Sequence, residues 1–164
     1  MGRYAIGVDL GGTSIKAGLV NKQNQIVDKL SCETNLPRPE REIEERIAGL
    51  CEELCRHAGV SLSEEVVSIG IGTPGSVNAE TGIVDFNENF NYRNWRLAAA
   101  MEKLMRRSIH IENDANAAAY GEYIAGAARG AKCAVVITLG TGIGSGIIID
   151  GKIFSGFNSA GAEL

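Results

Sequence analysis

The chain has 164 residues, 45% apolar and 22% charged, with a formal net charge of −4. That is enough for one well-packed core, or for one domain and part of another. The acidic balance, with no Lys/Arg cluster larger than a pair, argues against a nucleic-acid or anionic-membrane partner.

No apolar run is long enough to span a bilayer, and the N-terminus lacks the basic and apolar regions of a signal peptide. A cytoplasmic protein is expected. Cys32, Cys51, Cys55 and Cys133 show no CxxC spacing and read as free thiols, Cys51 and Cys55 one helical turn apart on a core-facing stripe.

In chain order, "RYAIGVDL", "SIKAGLV" and "QIVDKLSC" read as three strands joined by tight turns at Gly11-Gly12 and "NKQNQ". After Pro39, the spacing of Ile43, Ile47, Leu50, Leu54 and Ala58 predicts a helix closed by Gly59. "EVVSIGIG" is a nearly continuous apolar strand, as in a sheet covered on both faces. "TPGSVNAETG" reads as loop, "RLAAAMEKLMRR" as helix, "SIHIEN" as strand and "ANAAAYGEYIAGAA" as helix.

After "RGAK" the opening pattern restarts, with "CAVVITLG", the turn "TGIGS", "GIIID" and "KIF". The fold class expected is α/β with a mixed sheet, a first domain over 1–128 and the beginning of a second over 129–164. No helix follows to cover the new strands, so an open apolar face and a fragment of a longer protein are expected.

Two turns carry the chemistry of phosphate binding. "VDLGGTSIK" sets Asp9 at a strand end, then Gly11, Gly12 and Thr13, with Lys16 on the next strand. Glycine lets backbone amides approach an anion, Thr13 adds a hydroxyl and Lys16 a charge. Asp9 is misplaced beside phosphate unless a divalent cation lies between them, which points to Mg²⁺ with a nucleotide. "TLGTGIGSG" repeats the arrangement with Thr138, Gly140, Thr141, Gly142 and Gly144. Gly70, Gly72 and Gly75 match a dinucleotide fingerprint formally, but "SVNAETG" follows them where a helix would be required.

In "IHIENDANAAAYGE", strand formers give way at Glu112-Asn113-Asp114 to an alanine-rich helix. Asp114 is either the helix N-cap or a catalytic carboxylate at the carboxyl end of a strand.

In combination, "DLGGTSIKAG", "GIGTPGSVN", "ENDANAAAYGE" and "LGTGIGSGIIIDGKIFSGFNSAGAEL" resemble the N-terminal half of the ROK sugar kinases and sugar-responsive repressors, within the actin/hexokinase/Hsp70 superfamily. The resemblance implies two α/β domains flanking a cleft and ATP-dependent phosphorylation of a hexose, glucose to glucose 6-phosphate as the first expectation. It places Asp9, Gly11, Gly12, Thr13 and Lys16 in the first phosphate segment, and Thr138, Gly140, Thr141 and Gly142 in the second. Asp114 matches the catalytic base, and Asn89, Asn113 and Glu163 match sugar-contacting residues.

The resemblance further implies a family zinc site beyond Leu164, an adenosine site likewise beyond the chain, and a homo-oligomer at full length. His57 and His110 read as structural rather than as ligands. A kinase for fructose or an N-acetylated hexosamine is the nearer alternative. A sugar-responsive regulator would carry a DNA-binding segment ahead of Asp9, for which no room is seen.

Overall fold

A computed structural model describes residues 3–87, 89–140, 142–156 and 161. The chain divides into two compact units, Met1–Glu112 and Asn113–Leu164.

The first unit opens with β1 (Tyr4–Leu10), β2 (Ser14–Asn21) and β3 (Ile26–Glu33), an antiparallel meander. Alternation buries Ile6, Val8 and Leu10 on β1 and Ile15, Ala17 and Leu19 on β2. Helix α1 (Glu40–Ala58) lays Ile43, Ile47, Leu50 and Leu54 into the same core and ends at Gly59 in the left-handed conformation. Each such aliphatic side chain contributes about 1.5–3 kcal/mol of burial. After the single turn α2 (Leu62–Glu65), β4 (Val66–Thr73) joins β1 in parallel, with Asp9 opposite Gly72. The carboxyl ends of β1 and β4 therefore open at one edge of the sheet, the edge where such sheets place ligands.

Residues 73–82, expected as loop, contain β5 (Ser76–Asn78), which pairs with β6 (Ile83–Asn87). With β7 (Tyr92–Trp95) these make a separate three-stranded antiparallel sheet. Gly75 shows why it forms: a Cβ there would lie 2.2 Å from the Phe86 carbonyl oxygen, so only glycine lets the strands meet. Phe90, Tyr92 and Trp95 cluster beneath, and the buried indole of Trp95 donates to Glu44 Oε1 at 2.8 Å. Helix α3 (Leu97–Met105) and β8 (Ser108–Asn113) follow, completing a central sheet of order β3-β2-β1-β4-β8.

The second unit holds α4 (Asp114–Ala125) and the strands β9 (Cys133–Leu139), β10 (Ile143–Ile149) and β11 (Lys152–Ile153), in sheet order β11-β10-β9. The compact units part after Glu112, so α4 groups with the strands that follow it. The close approach of Ala115 and Ala119 to Gly144 and Gly146 of β10 accounts for that grouping. On the opposite face Val135, Ile137, Leu139 and Ile143 are exposed, Leu139 at 81%. This is the open apolar face expected from the sequence. Among the described residues no helix is long and apolar enough to cross a membrane.

Candidate functional site

In the first unit, the turn between β1 and β2 is closed by the Gly11 N–H donating to the Ser14 carbonyl at 3.0 Å. A Cβ at Gly11 would lie 2.9 Å from that carbonyl oxygen, so the turn itself demands glycine there. Gly12 differs. A Cβ there would make only ordinary contact, 3.6 Å, with the Asn89 side chain, and its backbone is not left-handed. Neither packing nor backbone conformation requires glycine at 12, and without a Cβ the backbone there is open to close approach. Lys16 stands opposite Asp9 across the strand pair, its Nζ 3.1 Å from Asp9 Oδ2. Both side chains are exposed, so the pair is worth less than about 1 kcal/mol and yields readily to a cation or a phosphate.

Asn89 sits exposed on a turn whose foundation is Asn87, a fully buried amide that the sequence did not single out. Asn87 Nδ2 donates to the Pro74 carbonyl at 2.7 Å and to Thr73 Oγ1 at 3.3 Å, while Oδ1 accepts from the Phe90 N–H at 3.3 Å. The turn is thereby fastened to the end of β4, and Asn89 is brought against Gly12. Thr34, also buried and also unremarked in the sequence, bonds to the glycine turn from the end of β3. Neither residue has a periodic signature; each is defined by partners distant in sequence.

In the second unit, Asn113 rather than Asp114 caps α4. Its backbone is extended (ψ 142°), and its Oδ1 accepts from the Ala115 and Asn116 amides at 3.0 and 3.1 Å. Asp114 is the first helical residue and is exposed, with Oδ1 2.9 Å from the Ala115 amide. The helix start thus has its cap without Asp114.

Thr138 pairs with Gly144 across β9 and β10. A Cβ at Gly144 would lie 2.7 Å from Thr138 Oγ1 and 3.0 Å from Ala115 Cβ, so the Thr138 hydroxyl and the first turn of α4 border one spot. The Gly140 N–H donates to the Gly142 carbonyl at 2.9 Å. Among the described residues, a Cβ at Gly140 or Gly142 would meet nothing within 4 Å, and neither backbone is left-handed. As at Gly12, local folding does not demand glycine. Thr141 and Glu163 lie outside the described residues.

Among the described residues no three His, Cys, Asp or Glu side chains gather as a metal cluster. His57 Nδ1 lies 2.7 Å from Asp28 Oδ2, and His110 Nε2 lies 3.3 Å from the Ser108 hydroxyl, both on the surface. All four cysteines are free thiols.

The fold is that of the actin-like ATPases, in the form taken by bacterial sugar kinases. The ROK family profile matches residues 5–164, and the chain belongs to that family. It is 41% identical over 160 residues to a glucokinase of Thermotoga maritima, covering 97% of this chain and 49% of that protein. A glucokinase of Halalkalibacterium halodurans is 36% identical over 163 residues, covering 99% of this chain and 49% of that one. A ROK glucokinase from Streptomyces griseus, solved in complex with glucose and AMPPNP, superposes with a TM-score of 0.87 at 36% identity, over 98% of this chain and 49% of its own. The chain spans about half the length of the curated relatives it matches.

Proposed function

We propose that the protein phosphorylates a hexose from ATP, with glucose the preferred acceptor. One observation carries this reading: Gly12, Gly140 and Gly142 are glycines that the fold does not require, each in a turn that also holds threonine. Backbone opened in this way, beside hydroxyls and a strand-end carboxylate, suits the phosphates of a nucleotide. The identity to two glucokinases supports glucose as the sugar.

Mg·ATP, when bound, supplies the transferable γ-phosphoryl group and the cation that offsets its charge. The donor set fits a phosphate-borne Mg²⁺, which keeps most of its waters and needs only one or two carboxylates; Asp9, exposed at the end of β1, provides one. Its partner Lys16 would then be available to a phosphate oxygen. The amides around Gly12 and Gly140–Gly142 hold phosphate oxygens, and Thr13, Thr138 and Thr141 add hydroxyls. Asn89, Asn113 and Glu163 orient the sugar ring. Asp114 accepts the proton of the attacking hydroxyl, a contribution of roughly 10²–10⁴-fold.

The test is a panel of glucose, fructose, mannose and N-acetylated hexosamines incubated with Mg·ATP and the full-length protein, with sugar phosphate followed by mass spectrometry. Glucose 6-phosphate as the main product supports the proposal. A preference for an N-acetylated hexosamine or fructose would keep the chemistry and change the substrate.

A further inference from the structure

We infer that Thr34 is a positioning residue for phosphate binding: from the end of β3 it turns the Gly12 amide to the side away from β3, where it can serve the nucleotide. The inference rests on the phosphate-binding reading of the Gly11–Thr13 turn and names a residue that reading does not contain.

Thr34 is fully buried, the residue next after β3. Its Oγ1 donates to the Gly11 carbonyl at 2.6 Å, and its backbone N–H donates to the Thr13 carbonyl at 2.9 Å. One residue thus fastens the carbonyls at both ends of the glycine turn. In a planar trans peptide the carbonyl and the following N–H point in opposite directions. Fixing the Gly11 carbonyl on Thr34 therefore turns the Gly12 N–H to the side away from β3.

Without the hydroxyl, the peptide joining two adjacent glycines is the least restrained in the turn, because glycine has the widest choice of backbone conformation. Donors fixed before the ligand arrives bind an anion better than donors that must be ordered by it. The side-chain bond acts on the Gly11–Gly12 peptide, while the backbone bond of Thr34 survives any substitution except proline. The hydroxyl is therefore separable from the sheet it anchors.

Thr34→Val keeps the shape and removes the hydroxyl, Thr34→Ser restores it, and Thr13→Val serves as the control for the phosphate reading. The full-length protein is assayed for KM of ATP, KM of glucose and kcat. Thr34→Val is expected to raise the ATP KM about tenfold with glucose KM within about twofold, and Thr34→Ser to stay within about twofold of wild type on both. A Thr34→Val enzyme with unchanged ATP KM, while Thr13→Val raises it, overturns the inference and leaves the phosphate reading standing. Equal losses on both substrates would mark a merely structural residue and also overturn it. No effect of Thr13→Val on ATP would remove the phosphate reading and the inference with it. Should Thr34→Val fail to fold, Thr34→Ala is read against Thr34→Ser by the same criteria.

Discussion

Two glycines of one hairpin respond in opposite ways to alanine if the site is built as described. At Gly146 a Cβ would lie 2.5 Å from Ala119 Cβ and 2.8 Å from the Ala115 carbonyl oxygen, both on α4. Ordinary packing needs about 3.5 Å, so Gly146→Ala must push the helix off β10 by about 1 Å. Overpacking of this kind costs about 1–3 kcal/mol, which for a chain of this length lowers Tm by roughly 2–12 °C. Asp114 rides on that helix, so kcat falls as well, by up to about a hundredfold for a 1 Å misplacement.

At Gly142 a Cβ meets nothing within 4 Å among the described residues. Gly142→Ala therefore leaves Tm unchanged or slightly raised, since it removes about 0.4–1 kcal/mol of unfolded-chain entropy. Its methyl group instead stands where phosphate must approach, and the ATP KM rises. Differential scanning calorimetry and steady-state kinetics on both variants decide the matter. A Gly146→Ala protein as stable as wild type would refute the packing argument. A Gly142→Ala enzyme with normal ATP KM would refute the ligand argument for glycines that the fold does not need.

Asn87→Ala strands the Pro74 carbonyl and the Phe90 amide and should cost about 2–4 kcal/mol in urea unfolding, with a raised glucose KM through Asn89; an unchanged urea midpoint would contradict this. Burial pushes the Cys51 thiol up to about 12, whereas Cys133 is exposed. A thiol-reactive disulfide reagent should therefore label Cys133 in the native protein and Cys51 only on unfolding, and prompt native labelling of Cys51 would count against the packing of α1. The hydrogen bond from His57 holds the Asp28 carboxyl below its usual range. A lowered carboxylate contributes stability above its unfolded-state value and loses it as pH falls through the folded value. Asp28→Asn should accordingly flatten the acid limb of a stability–pH curve below about pH 4, and identical acid limbs would remove the pair from the account.

Much of the first unit is legible in the sequence because its elements are long and periodic. The Ile43, Ile47, Leu50, Leu54 stripe and the Gly59 stop define α1, and the Gly11-Gly12 turn separates β1 from β2. The β5-β6-β7 sheet is not legible: its strands are three to five residues long, too short for alternation to show, and are held by contacts such as Gly75 against Phe86. The cap of α4 went to Asn113 instead of Asp114 because adjacent Asn and Asp are equally good caps in sequence, and only the backbone angle separates them. Thr34 and Asn87 were invisible for a related reason. A buried polar residue is recognised by its partners, and theirs lie 23 and 13 residues away.

The central claim is that Asp114 takes the proton of a sugar hydroxyl during transfer from ATP. The most direct test is the rate of glucose 6-phosphate formation by the full-length protein and its Asp114→Asn variant under saturating Mg·ATP and glucose. Product is expected from the parent, and a kcat lower by about 10²–10⁴-fold in the variant, with glucose affinity within a few-fold. Equal turnover in the two proteins, or no phosphorylated sugar from the parent, would contradict it.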